Sequence, residues 1–523
     1  MRRLIAAPSE HAQTQQAPYE RRWLALAVVC LSVVVIVLDG TIMNVAIPSI
    51  QESLHANSSQ LQWTIDAYTL VFAALLLSAG TLGDRYGRRG TLMTGLAIFG
   101  LGSALAAFAS TASELILFRA LMGAGAAAIY PTTLSTITNI FEGVERGRAI
   151  GIWAALGGVG VALGPILGGV LLDRWWWGSV LLVNVPIVAV ALVLLPLVVP
   201  TSRDPQARPL DPPGFVLSIG GLTALLYGII EGPRSGWGST RVMTALTIGI
   251  VLLVSFVVWE RHTRDPMLPL EFFEDPRFSA ASVALSLTFF ALFGYIFVLT
   301  QYLQFVRGLS PLHAGFRLAA PAAGLAIGAP LAPSLVEHVG TKIVVAVGLS
   351  GATVSLLLLS RLTVLEHDAL LAPVFALFGL AMGLTMAPAT ESIMGSVPRA
   401  RAGVGSAVND TTRQTGGALG VAVLGSIAAT RYNARIDALA APPSISRVAK
   451  ESIGAALQLG HSLPQAVGTR LVVSARAGFT SGIQSATLVG AAVVFVAVII
   501  VVRFLPARPT GSERQTQPID ATK

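Results

Sequence analysis

A carboxylate within an apolar segment is the first group in this sequence that could do chemistry. The run Leu38–Pro48 carries Asp39 and Asn44, and it closes a stretch that begins near Leu24 and has Ser32 as its one polar side chain. About 20 apolar residues can cross a bilayer as a helix, and an acid inside such a helix costs roughly 2.5–3.5 kcal/mol on insertion scales. A partner or a water-filled cavity must offset that cost, so Asp39 is a candidate for binding a proton or a cation.

Two more acids lie within apolar segments. Asp66 comes three residues after Trp63 near the outer end of the second segment, and Asp410 lies about 12 Å into a later one at 1.5 Å per residue. A carboxyl that faces each side of the membrane in turn can take up and release protons. We expect Asp39 and Asp66 to face the outer half of one cavity; an interfacial acid reached by water is the alternative for Asp66. Glu391, at the inner end of another segment, is a weaker candidate.

Two arginines accompany these acids. Arg119 lies within the fourth apolar segment, and Arg413 comes three residues after Asp410, which places both on one helix face. A buried arginine keeps its charge and needs a partner, and backbone carbonyls are one alternative for Arg119. Asp410 and Arg413 either neutralise each other, or Asp410 exchanges between Arg413, a proton and a cationic substrate.

Composition identifies an integral membrane protein. Of the 523 residues, 54% are hydrophobic and 12% are charged, with a mean hydropathy of +0.71, whereas a soluble domain carries about 25% charged residues. The formal net charge of +8 is distributed between the apolar segments, which argues against a nucleic-acid partner. A single cysteine, Cys30, excludes a disulfide framework. With seven His and no HExxH or CxxC motif, we expect no metal and no cofactor.

Apolar runs of about 20 residues predict fourteen membrane-spanning helices. Lys and Arg are concentrated in the tails and in the loops that follow even-numbered runs, which predicts that both termini are cytoplasmic. The first run is too long for a cleaved signal peptide. The approximate ranges are 24–48, 62–82, 91–111, 113–137, 146–172, 178–198, 214–231, 241–259, 278–305, 311–338, 341–361, 366–390, 401–430 and 476–504.

Polar linkers divide these spans into groups of six, two and six. We therefore predict an all-α integral membrane fold with two six-helix bundles and two extra central helices. In the second bundle, residues 431–475 are expected to form an outer loop with short amphipathic helices. The expected regions are a cytoplasmic tail (1–23), the first bundle (24–198), linkers with the two extra helices (199–277), the second bundle (278–504) and a cytoplasmic tail (505–523).

The loop between the second and third spans is the most particular motif. It reads G-T-L-G-D-R-Y-G-R-R from Gly80 to Arg89, with glycines for the turn and for close helix approach. Asp84 can cap a helix or pair with a cation, and the three arginines are expected to face the cytoplasm. The motif resembles the signature loop of the major facilitator superfamily, which latches neighbouring helices in the outward-facing state. The matching residues are Gly80, Gly83, Asp84, Arg85, Gly87 and Arg88.

The fifth span extends this resemblance. Its glycines are spaced by three and four residues, which gives a smooth helix face, and a proline among them favours a kink. The pattern is similar to the antiporter motif of the superfamily and implies a hinge; glycine-rich packing without function is the alternative. The residues of this motif are Gly157, Gly160, Gly164, Pro165, Gly168 and Gly169.

The first and sixth spans resemble one branch of the superfamily. The run at Asp39 looks like the first-span signature of the fourteen-span drug:proton antiporters. Asn184 lies in an Asn-Val-Pro sequence that matches the end of that branch's sixth-span motif. Gly178 and Ser179 replace the arginine and the aromatic residue that usually precede it.

The resemblance implies proton-coupled multidrug efflux by alternating access. In related exporters, acids at the positions matching Asp39, Asp66 and Asp410 contribute to cation recognition and proton coupling, and the arginine matching Arg119 is tied to coupling. Asn44, Arg413 and Glu391 complete the candidate set. Aromatic and methionine side chains could bind flat cations, or pack against helices and lipid. These side chains are Tyr68, Tyr130, Phe293, Tyr295 and Met386.

The expected partners are drug-like cations, protons and membrane lipids, for a monomer in a bacterial cell membrane driven by the proton gradient. An exporter of another cargo, such as a siderophore, lipid or metabolite, is the first alternative. A membrane receptor or enzyme is the second. No nucleophile–base set or phosphate-binding loop is recognisable in the sequence, so we expect no enzyme activity.

Overall fold

The computed structural model describes residues 20–56, 58–203, 211–309, 311–361, 368–439 and 441–506. These ranges are helical apart from short connections, and they contain no strand. Twelve of their helices are long and apolar enough to cross a membrane. The prediction of an all-helical membrane protein is confirmed.

The first half of the chain consists of helices α1 to α7. Helices α6 and α7 are almost continuous and form one candidate span, Ser179–Val198. Two more helices, α8 and α9, then form a hairpin. The bounds are α1 Arg22–Leu54, α2 Ser58–Tyr86, α3 Arg88–Ala107, α4 Ala112–Ile140, α5 Gly143–Arg174, α6 Ser179–Leu182, α7 Asn184–Val198, α8 Pro212–Ser235 and α9 Thr240–His262.

The second half consists of helices α10 to α17. A short 3-10 helix, Leu270–Glu274, precedes α10, and another, Arg399–Arg401, precedes α14. Helix α10 continues into a π-helical turn at Tyr302–Val306. The bounds are α10 Pro276–Gln301, α11 Pro311–Val339, α12 Thr341–Leu359, α13 Asp368–Gly395, α14 Ala402–Asp437, α15 Pro443–Glu451, α16 Ile453–Ser462 and α17 Gln465–Phe504. Helices α15 and α16 lie where the sequence predicted short helices in the loop 431–475.

Two of the fourteen expected spans, α5 and α14, are not among the twelve candidates. They are 32 and 36 residues long, so length does not exclude them. In α14 the polar stretch 409–414 interrupts the apolar sequence, and half of the residues of that helix are buried inside the protein. Twelve is therefore the number that length and apolar character support for the described residues.

Local sequence signals set where helices begin and end. Gly87 separates α2 from α3 with a φ of +108°, a conformation that favours glycine. At the start of α4, Thr111 Oγ1 accepts a hydrogen bond from the Glu114 backbone N–H at 3.2 Å. Asp211 and Asp275 cap α8 and α10 in the same way. Of these signals, Gly87 lies within the signature loop.

The helices of the two halves pack within each half and also meet along a seam. In the first half α4 packs on α2 and α3, and α5 packs on α1; in the second, α10 packs on α14, and α13 on α11 and α12. Across the seam, α14 contacts α2 and α4, and α5 contacts α11 and α13. Helix α8 lies between α2 and α14, where Leu226 and Ile229 pack with Ala73 and Ala422.

Glycines let the halves touch at the end of the molecule that carries the α2–α3 and α4–α5 connections, which we term the closed end. A Cβ atom on Gly80 would lie 2.5 Å from the Gly403 carbonyl oxygen. A Cβ on Gly151 would lie 2.7 Å from the Ala329 carbonyl oxygen. Any larger residue would push the backbones apart, so glycine is required for this close approach.

Candidate functional site

Asp39 is paired with Arg119 inside the first half. Arg119 Nη1 donates to Asp39 Oδ2 at 2.5 Å, and both side chains are sealed from solvent. The other carboxylate oxygen, Oδ1, accepts a hydrogen bond from Asn184 Nδ2 at 3.0 Å. The three residues belong to α1, α4 and α7, so the charge of this acid ties three helices together.

Further contacts hold the partners of Asp39 in place. Arg119 Nε donates to the Thr64 carbonyl oxygen at 3.1 Å, and its guanidinium carbon lies 4.4 Å from the centre of the Tyr68 ring. Asn184 Nδ2 also donates to Ser103 Oγ at 3.1 Å. Both partners considered for Arg119, an acid and a backbone carbonyl, are therefore present. Charge-assisted hydrogen bonds of this kind are the strong ones in protein interiors.

Asp410 and Arg413 form a second, looser ion pair on α14. Arg413 Nη1 lies 3.5 Å from Asp410 Oδ1, and Asn409 Nδ2 donates to the same oxygen at 2.9 Å. Thr390 Oγ1 on α13 donates to Asn409 Oδ1 at 3.1 Å. Asp410 Oδ2 is buried and accepts no hydrogen bond within the described part of the chain. A carboxylate with an unused acceptor can take a proton or a second cation without first losing a partner.

Three aromatic rings surround the guanidinium of Arg413, and we term them the aromatic cage. The guanidinium carbon lies 4.4 Å from the ring centre of Phe289, 5.0 Å from Trp153 and 5.6 Å from Tyr130. These distances lie within the range of a cation–π interaction. Tyr130 and Trp153 belong to α4 and α5 of the first half, whereas Phe289 belongs to α10 of the second. Arg413 therefore reaches across the seam.

A row of rings connects the two arginines. The ring centres of Tyr68 and Phe72 are 6.0 Å apart, those of Phe72 and Tyr130 5.7 Å, and those of Tyr130 and Trp153 5.6 Å. Tyr68 contacts Arg119 at one end, and the aromatic cage holds Arg413 at the other. Packed rings, and not open space, therefore lie between the two arginines.

The signature loop joins the halves at the closed end. Asp84 accepts hydrogen bonds from the backbone N–H groups of Gly403 at 2.9 Å and Val404 at 3.1 Å, where the N-terminus of α14 favours negative charge. Arg88 donates to Asp84 Oδ1 at 2.6 and 2.9 Å and to the Arg399 carbonyl oxygen at 2.9 Å. The expectation that Arg88 faces the cytoplasm is wrong: its side chain is buried, because Asp84 and backbone carbonyls bind its guanidinium.

Glu391 also lies at the closed end. Arg146 donates to its Oε1 at 2.6 and 2.8 Å, which connects α5 to α13 across the seam. Arg399 and Glu142 form a more exposed ion pair at 2.6 Å beside it. The structure therefore places Glu391 in a contact between the halves.

The antiporter motif packs α5 against the helix that carries Asp39. Cβ atoms added to Gly160, Gly164 and Gly168 would meet Val37, Thr41 and Ile42 of α1 at 3.0, 2.0 and 2.9 Å. A Cβ on Gly157 would meet nothing within 4 Å, and Gly169 is half-buried. The α5 backbone is helical throughout this motif. The side chains of Pro165 and of Asn44 lie outside the described residues.

The remaining predicted residues lie in other surroundings. Asp66 is half-buried and shares a face of α2 with Trp63, whose ring stacks on Tyr227 of α8 at 5.9 Å between centres. Thr64 and Tyr68, which contact Arg119, lie on nearly the opposite side of α2 from Asp66.

The predicted aromatic residues divide between the site and the core. Tyr68 and Tyr130 contact the two arginines, as described above. Phe293 is half-buried, with its ring centre 5.5 Å from that of Phe289. Tyr295 packs on Phe378 at 4.5 Å inside the second half, and Met386 is buried in the same core.

Sequence reasoning missed several residues of the site. Asn184 had a signal, since its Asn-Val-Pro sequence matched a family motif, but no role had been attached to it. Trp153 and Phe289 lie in apolar runs where an aromatic residue is ordinary. Their function as a cage depends on which helices meet at the seam, which only the tertiary structure shows.

The fold and the two buried ion pairs are those of a membrane transporter. Residues 29–421 match the family model of the Major Facilitator Superfamily, and the chain belongs to this family. It is 38% identical over 487 residues to the multidrug efflux pump LfrA of Mycolicibacterium smegmatis, an alignment that covers 92% of this chain and 96% of the relative. It is 34% identical over 466 residues to the methyl viologen resistance protein SmvA of Salmonella typhimurium, covering 88% and 93%.

Solved structures show the same fold. The human organic anion transporter MFSD10 superposes with a TM-score of 0.63 at 12% identity, over 92% of this chain and 99% of that one. A bacterial homologue of the lysosomal transporter Spinster, in an inward-facing and unoccupied conformation, superposes with a TM-score of 0.58 at 19% identity, over 94% and 99%. At these identities the likeness concerns the fold alone.

Proposed function

We propose that the protein exports lipophilic, mainly cationic drug-like compounds across a bacterial cell membrane in exchange for protons. The observation that carries this proposal is a buried acid paired with a buried arginine in each half of the transporter. Ionisable groups inside a membrane protein are costly and usually mark a substrate or proton pathway. The relatives support the cargo, because one is a multidrug efflux pump and another confers resistance to methyl viologen, an organic cation.

The proposed membrane arrangement adds α5 and α14 to the twelve candidate spans, which gives fourteen. The two bundles comprise residues 24–198 and 278–504, with two extra helices within 199–277. Both termini and the closed end face the cytoplasm, so the structure corresponds to a conformation sealed on the inside. The transporter acts as a monomer, needs no cofactor and has no enzyme activity.

The transport cycle that we propose consists of rocking of the two halves about the seam. The closed end is held by Asp84, Arg88 and the Arg146–Glu391 ion pair, all of which must separate before the inside can open. The glycines that pack α5 against α1 let these helices slide or bend with little steric resistance. Separation of the closed-end contacts costs free energy. Binding of substrate or of a proton at the buried ion pairs supplies the free energy that offsets this cost.

Coupling follows from mutual exclusion at a carboxylate. A protonated Asp410 cannot attract a cation, and a cation beside Asp410 disfavours its protonation. A proton that arrives from outside therefore releases the substrate, and a substrate that arrives from inside releases the proton. Asp39 supports this exchange from the first half, and Asp66 contributes near the outer end of α2.

Proton release on substrate binding tests the proposal. Purified protein in weakly buffered detergent solution should release protons when tetraphenylphosphonium is added, and a pH-sensitive dye measures them. In proteoliposomes, an imposed proton gradient should drive ethidium transport that a protonophore stops. Asp410→Asn should abolish the proton release, whereas Glu142→Gln, at the exposed closed end, serves as the control for loss of an acid.

Two results would overturn the proposal. Ethidium transport that continues at the same rate with the protonophore present would exclude proton coupling. Absence of any binding or transport of cationic dyes by folded protein, together with transport of a neutral or anionic compound, would favour an exporter of another cargo.

A further inference from the structure

The side chain of Arg413 is a cation that already occupies a cation site. Its guanidinium lies within 6 Å of the three ring centres of the aromatic cage, and its side chain is almost completely buried. Its ion pair with Asp410 is long, at 3.5 Å, and the rings add to what holds the charge.

The ring faces of the aromatic cage stabilise the charge of Arg413, and the Tyr130 hydroxyl also interacts with its guanidinium. Arg413 Nη1 donates no hydrogen bond to any described atom, although it is buried. Trp153 Nε1 donates to Thr133 Oγ1 at 3.2 Å, which leaves the face of the indole available to the guanidinium. A site made of ring faces with one carboxylate nearby suits a cation that carries no N–H donors at all, such as a quaternary ammonium.

We propose that the aromatic cage of Tyr130, Trp153 and Phe289 binds the onium head of the exported cation, and that Arg413 is its tethered competitor. This inference rests on the proposed function and specifies the substrate site within it. The incoming onium group displaces the guanidinium from the rings, and the unused oxygen of Asp410 balances its charge.

The position of the cage at the seam connects occupancy to conformation. Tyr130 and Trp153 belong to the first half and Phe289 to the second, so the three rings face one cation only while the halves are arranged as they are here. Rocking of the halves separates Phe289 from the other two rings. The affinity for an onium group therefore depends on how the halves are arranged, so occupancy of the cage and conformation are coupled.

Removal of the competitor is the direct test. Arg413→Met empties the cage of its charge while keeping a side chain of similar length. Calorimetric titration in detergent would measure binding of benzyltrimethylammonium and of neopentylbenzene, its neutral carbon isostere. We expect the variant to bind the onium compound about tenfold more tightly than the wild type, with no comparable gain for the neutral compound.

Matched variants distinguish binding by the aromatic cage from a general effect of removing a positive charge. Arg435→Met removes an exposed arginine from the same helix and should leave both affinities unchanged. Phe289→Leu, added to Arg413→Met, should reverse the gain for the onium compound. In a background that retains Arg413, Phe289→Leu should lower the onium affinity and not that of the isostere, which keeps the test available if Arg413→Met does not fold.

The outcomes distinguish this inference from the proposed function. Equal gains for the onium compound and its isostere in Arg413→Met would show only a widened apolar cavity and would overturn the cage. An unchanged onium affinity in the Phe289→Leu variants would also overturn the proposed role of the cage, even if proton-driven efflux were intact. Onium binding that follows the predicted pattern, in a protein that moves no dye on a proton gradient, would support the cage and refute the proposed transport.

Discussion

The two buried ion pairs are built from the same residue types but differ in how completely they are satisfied. Asp39 has a short contact with Arg119 on one oxygen and a hydrogen bond from Asn184 on the other. Asp410 has a 3.5 Å contact with Arg413 and leaves one oxygen unused. The first pair joins three helices within one half, whereas the second lies on a single helix at the seam.

This difference assigns different roles to two acids that look alike in the sequence. A carboxylate whose partners come from two other helices cannot give one up without disturbing the packing of its half. A carboxylate with an unused oxygen, beside a cation held mainly by rings, can change partners at lower cost. We infer that Asp39 organises the first half and that Asp410 is the acid that exchanges cation for proton.

Removal of the arginine from the tighter pair should have the largest effect. Arg119→Leu leaves the Asp39 carboxylate buried without its counter-charge, and we expect it to lower the free energy of unfolding by about 3–5 kcal/mol. Thermal unfolding in detergent, followed by circular dichroism, measures the loss. Arg413→Leu is the matched variant and should cost less, roughly 1–3 kcal/mol, because its ion pair is longer. Equal losses at the two sites would refute the distinction between them.

Asp410→Asn should separate stability from coupling. The amide keeps the size of the side chain and can still accept the hydrogen bond from Asn409, so we expect a stability change within about 1 kcal/mol. Proton release on addition of tetraphenylphosphonium should nevertheless disappear. Asp39→Asn should reduce both quantities, because it weakens the contact with Arg119. Proton release that persists in Asp410→Asn and is lost in a stable Asp39→Asn variant would reverse the two roles.

A methyl group on the antiporter motif should disturb the first ion pair and leave the second unchanged. The Cβ of Gly164→Ala would meet Thr41 Oγ1, two residues from Asp39, so α1 must shift away from α5. We expect a loss of about 1–3 kcal/mol in unfolding free energy. Gly157→Ala is the control, since its Cβ meets nothing within 4 Å. A Gly164→Ala variant as stable as Gly157→Ala would mean that the close contact between α1 and α5 does not require glycine at position 164.

The sequence was sufficient for the helical membrane fold and for the pairing of Asp410 with Arg413, which follows from their spacing on one helix. It also identified Asp39 and Arg119 as groups in need of partners, but they lie on different helices, and no periodicity relates residues 80 positions apart. Arg88 was wrongly predicted to face the cytoplasm. A basic loop gives no sign that backbone carbonyls of another segment will bind one of its arginines. The aromatic cage was not predicted for a similar reason: its rings come from three helices and both halves.

Loss of the partly exposed ion pair between Arg22 and Glu145 should have the smallest effect on stability. Its comparison with the buried pairs shows how much burial adds to the strength of an ion pair. Arg22 donates to Glu145 at 2.9 and 3.0 Å, a geometry comparable to that of the buried pairs, but this pair lies at the partly exposed start of α1 and α5. The hydrogen bonds from Arg22 lower the pKa of Glu145 below its ordinary value of 4.5. The pair therefore contributes stability above that value, and the contribution is lost as the pH falls through the lowered pKa.

Glu145→Gln should therefore lower the melting temperature slightly near pH 7, and the difference should shrink as the pH is lowered towards about 3, because the wild-type acid becomes protonated in that direction. Raised salt should shrink the difference at neutral pH, because solvent ions screen exposed charges. Melting curves at the two pH values, with and without about 0.5 M salt, measure both effects. A loss as large as that of Arg119→Leu would mean that hydrogen-bond geometry alone, and not burial, sets the strength of ion pairs in this transporter.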